Sequence, residues 1–352
     1  MELLYVAKDA AFAGDVHVRS FEVNVELGDS GVSRAVVPLD IGAPKGTTAA
    51  LALIEMVVES QGKPIGWKLK LEGMNVAREF KPLLSVREGG RTLHKLVYDV
   101  TSLLNTPRAL GKSSYALSVR HVGGDNAKIR GINAVVVLEY PGASSALNYL
   151  TGFKRLAAGE SFEASFNLSG GEAYVHAAFV PLGRGGRVRV CVDDVCQTDH
   201  AVLGEYEPVV VGPREGLRKV WLKYEGSRDI FLSSLLAYGA LVPEPSLRIT
   251  SYEVEEHGST VKIRARISNV GAASPDHSLV TALSAGNVLG VSRIGNLAPG
   301  AEEDVVLNVG RPANGELVLR VVWRKLARVR FAEARIAVGG RNAGPAQRRG
   351  QM

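Results

Sequence analysis

Pro245-Ser246-Leu247-Arg248-Ile249-Thr250-Ser251-Tyr252-Glu253-Val254 opens the stretch that decides the fold. It is followed by Thr260-Val261-Lys262-Ile263-Arg264-Ala265-Arg266-Ile267-Ser268-Asn269-Val270-Gly271, by Leu297-Ala298-Pro299-Gly300-Ala301-Glu302-Glu303-Asp304-Val305-Val306-Leu307, and by Glu316-Leu317-Val318-Leu319-Arg320-Val321-Val322-Trp323. Apolar and polar residues alternate in each segment, and turn residues separate the segments. Alternation with period two puts one face of each segment in a core and the other in water. Short strands at this spacing are the sequence form of a small β-sandwich. Pro243-Glu244-Pro245 breaks the chain just before it.

Working outward, the 352 residues suffice for two or three domains, each with its own core. Hydrophobic residues make up 46% and charged residues 22%, which excludes a globally disordered chain. With 39 Gly and 15 Pro and few long amphipathic patterns, the composition indicates many turns and an all-β protein. No apolar run reaches the length of a membrane-spanning helix. The opening residues, Met1 to Val16, show neither a basic leader nor a continuous apolar stretch, so no signal peptide is visible. The net charge of +6 is uneven: Gly310 to Met352 holds ten Arg or Lys and two Glu, leaving the remainder slightly acidic.

Upstream, residues 1–143 read as strands: Val16 to Leu27, Ala49 to Val58, Gly66 to Leu71, Tyr98 to Asn105, Ser114 to Val122 and Ile132 to Tyr140. Residues 144–243 repeat the plan in shorter form. Ala173 to Leu182 corresponds to the Ala49–Val58 run. Arg187 to Val192 aligns with Gly66 to Leu71 at an offset of 121, and two-residue turns, Glu72-Gly73 and Asp193-Asp194, follow the two segments. Lys219 to Tyr224 and Phe231 to Val242 match the closing strands. This is the pattern of a tandem duplication. The expected fold is therefore all-β: two jelly-roll-like β-sandwiches in tandem (1–143 and 144–243), then an immunoglobulin-like β-sandwich (246–340) and a disordered basic tail (341–352).

Two stretches carry family resemblances. Tyr98-Asp99-Val100-Thr101-Ser102-Leu103-Leu104-Asn105, with the later strand Gly131 to Tyr140, resembles the DUF3344 family of archaeal surface proteins. Asn269-Val270-Gly271 and Leu297-Ala298-Pro299-Gly300 resemble the "N-x-G" and "L-x-P-G" turns of CARDB modules, the immunoglobulin-like units of prokaryotic surface and adhesion proteins. These resemblances imply an extracellular or envelope location and a holding, spacing or binding role, whereas the opening residues read literally, with no signal peptide visible, give a cytoplasmic one. DUF3344 has no established activity, so it supplies no catalytic residues. Its members carry a secretion signal and Trp-rich strands; this chain shows no signal and has three Trp.

Candidate site residues are few. Cys191 and Cys196 flank the Asp193-Asp194 turn symmetrically, a position within disulfide reach. Free thiols, a redox pair or a metal pair are the other readings, although two thiolates do not complete a zinc site. Trp221 falls on the polar face of its strand with Lys219 and Lys223, where an aromatic ring stacks on a sugar or packs on a neighbouring domain. Trp67 and Trp323 fall on core faces. Arg320, Arg324, Arg328 and Arg330 concentrate positive charge near the C-terminal end, either as a solvated face or as a contact for an anionic partner. Aromatic interleaving there is too sparse for a nucleic-acid stacking platform. Gly183 to Arg187 has the composition of a phosphate cradle but lies between strands, where a hairpin loop is expected. Asp125-Asn126 and Asp193-Asp194 suit turns as well as they suit calcium. The seven His are scattered, and no catalytic motif, metal cluster or cofactor loop is present in the sequence.

The sequence thus reads as a non-enzymatic structural, adhesive or scaffolding protein with a protein, polysaccharide or envelope partner, anionic if the basic end makes the contact. The alternatives are a virion or filament subunit of an archaeal virus and a carbohydrate-binding accessory protein. The Ala-, Arg- and Val-rich composition is compatible with a thermophilic source.

Overall fold

The computed structural model describes residues 3–29, 31–42, 46–63, 65–110, 112–168, 171–181, 186–200, 209–212, 216–326, 328–338 and 347–351. Among these, strands dominate. The first part of the chain holds β1 (Leu3–Phe12), β2 (Gly14–Leu27), β3 (Arg34–Asp40), β4 (Ala49–Ser60), β5 (Ile65–Leu71), β6 (Met74–Ala77), β7 (Leu84–Glu88), β8 (Arg91–Asp99), the single helical turn α1 (Thr101–Leu104), β9 (Ser114–Gly124) and β10 (Ala127–Glu139). The next part holds β11 (Ser144–Leu156), β12 (Ser161–Asn167), β13 (Glu172–Pro181), β14 (Gly186–Val192), β15 (Val195–His200), β16 (Val209–Val211), β17 (Leu217–Gly226) and β18 (Ile230–Leu241). The last holds β19 (Leu247–His257), β20 (Thr260–Asn269), β21 (His277–Ser284), β22 (Asn287–Ile294), β23 (Glu302–Gly310), β24 (Glu316–Lys325), β25 (Arg328–Ala337) and β26 (Gln347–Gln351). The chain divides into two compact units, Met1–Val242 and Pro243–Met352.

Within the first unit the duplication is visible strand by strand. One sandwich has an inner sheet, β2-β10-β4-β8-β7, and an outer sheet, β3-β9-β5-β6. The other has an inner sheet, β1-β11-β18-β13-β16, and an outer sheet, β12-β17-β14-β15. Apart from β7 and β1, which extend the edges, each strand has its counterpart at the same place in the other copy. The N-terminal strand β1 belongs to the second sandwich, where it pairs with the free edge of β11. The turn after β5 and β14 repeats as well. Glu72 and Asp193 both sit at φ +51. The Glu72 carboxylate accepts from the backbone N–H of Ala116 on β9 at 2.6 Å, and the Asp193 carboxylate accepts from that of Lys219 on β17 at 3.0 Å. Each acid also holds a cation, Lys112 and Arg218 respectively.

Why the middle strands read as continuous apolar runs follows from the layering. The inner sheets pack against each other, so both of their faces are covered. On β4, Ala52, Ile54, Met56 and Val58 fill the core under the outer sheet, while Leu53 and Val57 face the second sandwich. Two apolar clusters seal this interface. One joins Val16, Leu53, Val135 and Val137 to Leu147, Tyr149, Leu236 and Tyr238. The other joins Val57, Val86 and Leu93 to Phe153, Val180 and Phe231.

Glu55 also faces the second sandwich, and it is 1% exposed. Its carboxylate meets the Lys95 ammonium at 2.6 Å and accepts from Asn133 Nδ2 at 2.9 Å, Ser234 Oγ at 3.1 Å, Thr151 Oγ1 at 3.0 Å and the Tyr149 hydroxyl. Lys95 and Asn133 come from the same inner sheet as Glu55, whereas Tyr149, Thr151 and Ser234 come from the facing one. Burial pushes the Glu55 carboxyl up, but Lys95 and the hydrogen bonds outweigh it and hold the group below its ordinary value, so it stays ionised. His176, buried nearby and stacked on Tyr238, is pushed by desolvation down to about 3 and is neutral.

The sequence reading differs from the structure in particular places. The β7–β8 hairpin falls in a stretch that reads as polar, because Lys95 and His94 are buried polar residues on a strand covered on both faces. Residues 101–104, read within a strand, form α1. There Asp99 accepts from the Thr101 N–H at 2.9 Å, Thr101 Oγ1 accepts from the Ala52 N–H at 2.8 Å, and Asn105 pairs with both backbone groups of Ala49. Side chains thus satisfy the edge that a strand would have paired. The tail, expected to be disordered, places Gln347–Gln351 as β26 against β25, whose open edge offers unpaired backbone groups; residues 341–346 and Met352 lie outside the described residues.

In the second unit, sheets β19-β20-β23 and β22-β21-β24-β25-β26 enclose one core. Asn269, fully buried, organises one end. Its amide donates to the carbonyls of Ala273 and Leu297, both at 2.8 Å, and its side-chain oxygen accepts from Ser246 and Gly271. A Cβ on Gly271 would lie 2.4 Å from the Glu244 carbonyl oxygen, so only glycine fits the turn there. Trp323 Nε1 donates to the Pro245 carbonyl at 3.0 Å. The Pro-Glu-Pro segment is therefore built into this module.

The Glu55 cluster yields a direct test. Glu55→Gln removes the charge that compensates Lys95 and should destabilise the protein by about 3–5 kcal/mol. Replacing both partners, Glu55→Gln with Lys95→Met, should recover most of that loss. Denaturant unfolding of the two variants checks this, and a double variant no more stable than the single one would contradict it.

Candidate binding faces

The outer sheet of the second sandwich brings the first group of candidate residues together. Its outward rows follow from the register: Glu163, Trp221, Cys191 and Cys196 lie side by side, and Lys223 lies opposite Arg189. Val220, Leu222 and Tyr224 point into the core, which leaves Lys219, Trp221 and Lys223 on the outer face. Trp221 is half-buried. Lys219 pairs with Glu163 at 2.9 Å and Lys223 approaches Glu225 at 3.6 Å. The face thus offers one indole flank between two exposed-face cations, Lys219 closely paired with Glu163 and Lys223 farther from Glu225, and surface pairs of this kind are weak enough to yield to a ring carrying negative charge.

Cys191 and Cys196 are joined as a disulfide across the hairpin, with Val192 and Val195 paired beside the turn. Cys191 is buried and Cys196 exposed. Trp67 and Trp323 are buried core residues, Trp67 packing edge-on to Phe80 at 4.8 Å.

The C-terminal arginines do not form one free patch. Arg320 bonds Glu333 at 2.6 Å and lies over the Phe331 ring at 5.0 Å. Arg328 and Arg330 both reach Glu244, at 2.7 and 3.4 Å, pinning the Pro-Glu-Pro segment to β25. Arg324 is exposed. It rims a groove of about 580 Å³ with His277 and Arg293, floored by Leu279, Val322 and Val329. The sequence counts charge but does not show which acids fold back onto it: of the four arginines named from the sequence, Arg320, Arg328 and Arg330 meet acids and Arg324 is exposed.

The remaining candidates resolve locally. Asp125 accepts from the backbone of Gln61 at 2.8 Å and of Lys63 at 3.2 Å, and Asn126 accepts from that of Asp29 at 3.0 Å. Both residues staple loops. Among the described residues no group of three His, Cys, Asp or Glu side chains is placed to hold a metal ion, and no helix is long and apolar enough to cross a membrane. Gly183 to Gly185 lie outside the described residues.

Sequence reasoning missed a second outer face. On the first sandwich, Arg34, Arg120 and Lys68 lie in one row across β3, β9 and β5, with Lys70 adjacent. All four are exposed. Arg34, Lys68 and Arg120 are far apart in the sequence, so only the register gathers them.

Loop-closure arithmetic gives the short disulfide ring about 2 kcal/mol of stabilisation. Cys191→Ser should therefore lower the melting temperature modestly and leave the protein folded, and unreduced protein should show no free thiol in denaturant. Two titrating thiols would contradict this.

Among curated proteins, none matches the sequence. The chain is similar in part to solved glycosidases. β-Glucosidase 3B from Thermotoga neapolitana is 19% identical, over 32% of this chain and 17% of that enzyme, with a TM-score of 0.20. The Ruminococcus gnavus β-glucuronidase is 14% identical over 55% and 36%, with a TM-score of 0.21. The Parabacteroides merdae β-glucuronidase is 11% identical over 55% and 28%, with a TM-score of 0.26. The chain spans about a sixth to a third of the length of these enzymes, and scores this low carry no functional argument. Residues 244–329 match the CARDB family, in agreement with the immunoglobulin-like module that Asn269 and Trp323 organise.

Proposed function

We propose that this is a non-enzymatic adhesive or scaffolding protein of a cell envelope, which holds its partner through flat sheet faces. The observation that carries the reading is the outer face around Trp221. A half-buried indole between Lys219 and Lys223 is displayed on a sheet whose other side is a packed core. Such a face binds without a cleft, by stacking and charge. The CARDB match at 244–329 supports the same role, since these modules space and bind in surface proteins. The resemblance of Tyr98 to Asn105 to DUF3344 surface proteins supports an envelope location and an archaeal source.

The experiment is cosedimentation of the full-length protein with isolated envelopes of the source organism. The protein should pellet with them, and Trp221→Ala should weaken the association about tenfold, as loss of one stacking contact would. Recovery of the wild type wholly in the supernatant would contradict the reading.

A further inference from the structure

The two sandwiches of the first unit are copies, so equivalent positions can be compared directly. The offset of 121 equates Lys68 on β5 with Arg189 on β14. Lys68 lies opposite Arg120 on β9, and Arg189 lies opposite Lys223 on β17. Both copies therefore place a cation directly opposite a cation at the same place on the outer face. Like charges in that arrangement repel and weaken the sheet, so neither packing nor stability accounts for the pairing.

The first copy extends the row with Arg34, opposite Arg120 on its other side. Ser118 accepts from Arg34 Nε at 2.9 Å and holds the guanidinium over the face. Lys70 stands one row along. None of Arg34, Lys68, Lys70 and Arg120 makes an ion pair with a described residue. Asp40 is the acid on β3, β5 or β9 that shares this face. It sits at the far end of β3 opposite Ser114, its carboxylate turned to the Gly42 N–H at 3.0 Å. The contrast with the outer face of β19-β20-β23 is direct: there Arg266 forks onto Asp304, and Lys262 and Arg264 approach Glu255.

We propose that the Arg34–Arg120–Lys68 face is a second polyanion-binding site, that it takes the same ligand class as the Trp221 face, and that this ligand is an acidic polysaccharide. The inference rests on the reading that the chain binds through its sheet faces. Neighbouring strands stand about 4.8 Å apart, so the row presents three cations at regular intervals along one line, a pattern complementary to a regularly charged polymer. In the second copy Trp221 occupies the position of Ser118, in the row beside the Arg189–Lys223 pair, and supplies a platform for a sugar ring. A single-stranded nucleic acid calls for several stacking aromatics, and β3, β5 and β9 show no exposed aromatic side chain. The layers stack as outer, inner, inner, outer, so the two faces look in opposite directions. One molecule can then bridge two polymer chains.

Polygalacturonate serves as the probe for the full-length protein, with its neutral methyl ester as control. The wild type should bind the acid form, lose at least tenfold in affinity between low and physiological salt, and raise light scattering by cross-linking chains. Arg34→Ser/Lys68→Ser/Arg120→Ser changes exposed residues only, and its melting temperature verifies folding. This variant should bind at least tenfold more weakly and no longer cross-link. Lys219→Ser/Trp221→Ala/Lys223→Ser should likewise abolish cross-linking while leaving the first face able to bind. If the first variant binds and cross-links as the wild type does, the inference fails and the Trp221 face still stands. If both variants match the wild type, both readings fail. Failure of the wild type to bind polygalacturonate at low salt overturns the proposal. So does equally tight binding of single-stranded oligothymidylate or of phosphatidylglycerol vesicles.

Discussion

The carboxylate of Glu55 holds the first unit together. It is out of water, and a buried charge is costly unless fully compensated. Compensation comes from both sides of the interface: Lys95 and Asn133 from its own sheet, and Tyr149, Thr151 and Ser234 from the facing sheet. Neither sandwich alone can satisfy it. The apolar clusters on either side supply the attraction between the sheets, and the polar centre fixes their register, because a shift would strand the charge.

That constraint explains the rest of the architecture. Two copies of one sandwich bury their inner sheets against each other, so the inner strands are apolar on both faces and their outer partners keep a polar face. The extra edge strands, β7 and β1, widen the two inner sheets. The copies also share a device that rigidifies the outer sheets. The turn acids Glu72 and Asp193 each reach across to the backbone of the next strand and take a cation. The outer faces are thereby left free to diverge, one with an open row of cations and the other with an aromatic ring and a disulfide.

Much of this was legible in the residues. Alternation gave the outer strands β5, β9, β14 and β17 and the immunoglobulin-like module but passed over β3 and β6, and the offset of 121 exposed the repeat. Alternation also placed Trp67 and Trp323 inside and Trp221 outside. What failed to show were features defined by pairing between distant strands. Lys95 reads as surface until Glu55 is placed beside it. Arg328 and Arg330 read as exposed until Glu244 folds back onto them. Arg34, Lys68 and Arg120 look unremarkable singly, because the sequence holds no register. The Leu3–Phe12 segment gives no hint that it completes a sheet whose other strands begin at residue 144.

The central claim is that the two sandwiches are one cooperative body. Scanning calorimetry of residues 1–242 tests it most directly. A single transition is expected, with calorimetric and van't Hoff enthalpies equal, because neither sandwich keeps its interface without the other. Two resolved transitions, one per sandwich, would contradict the account.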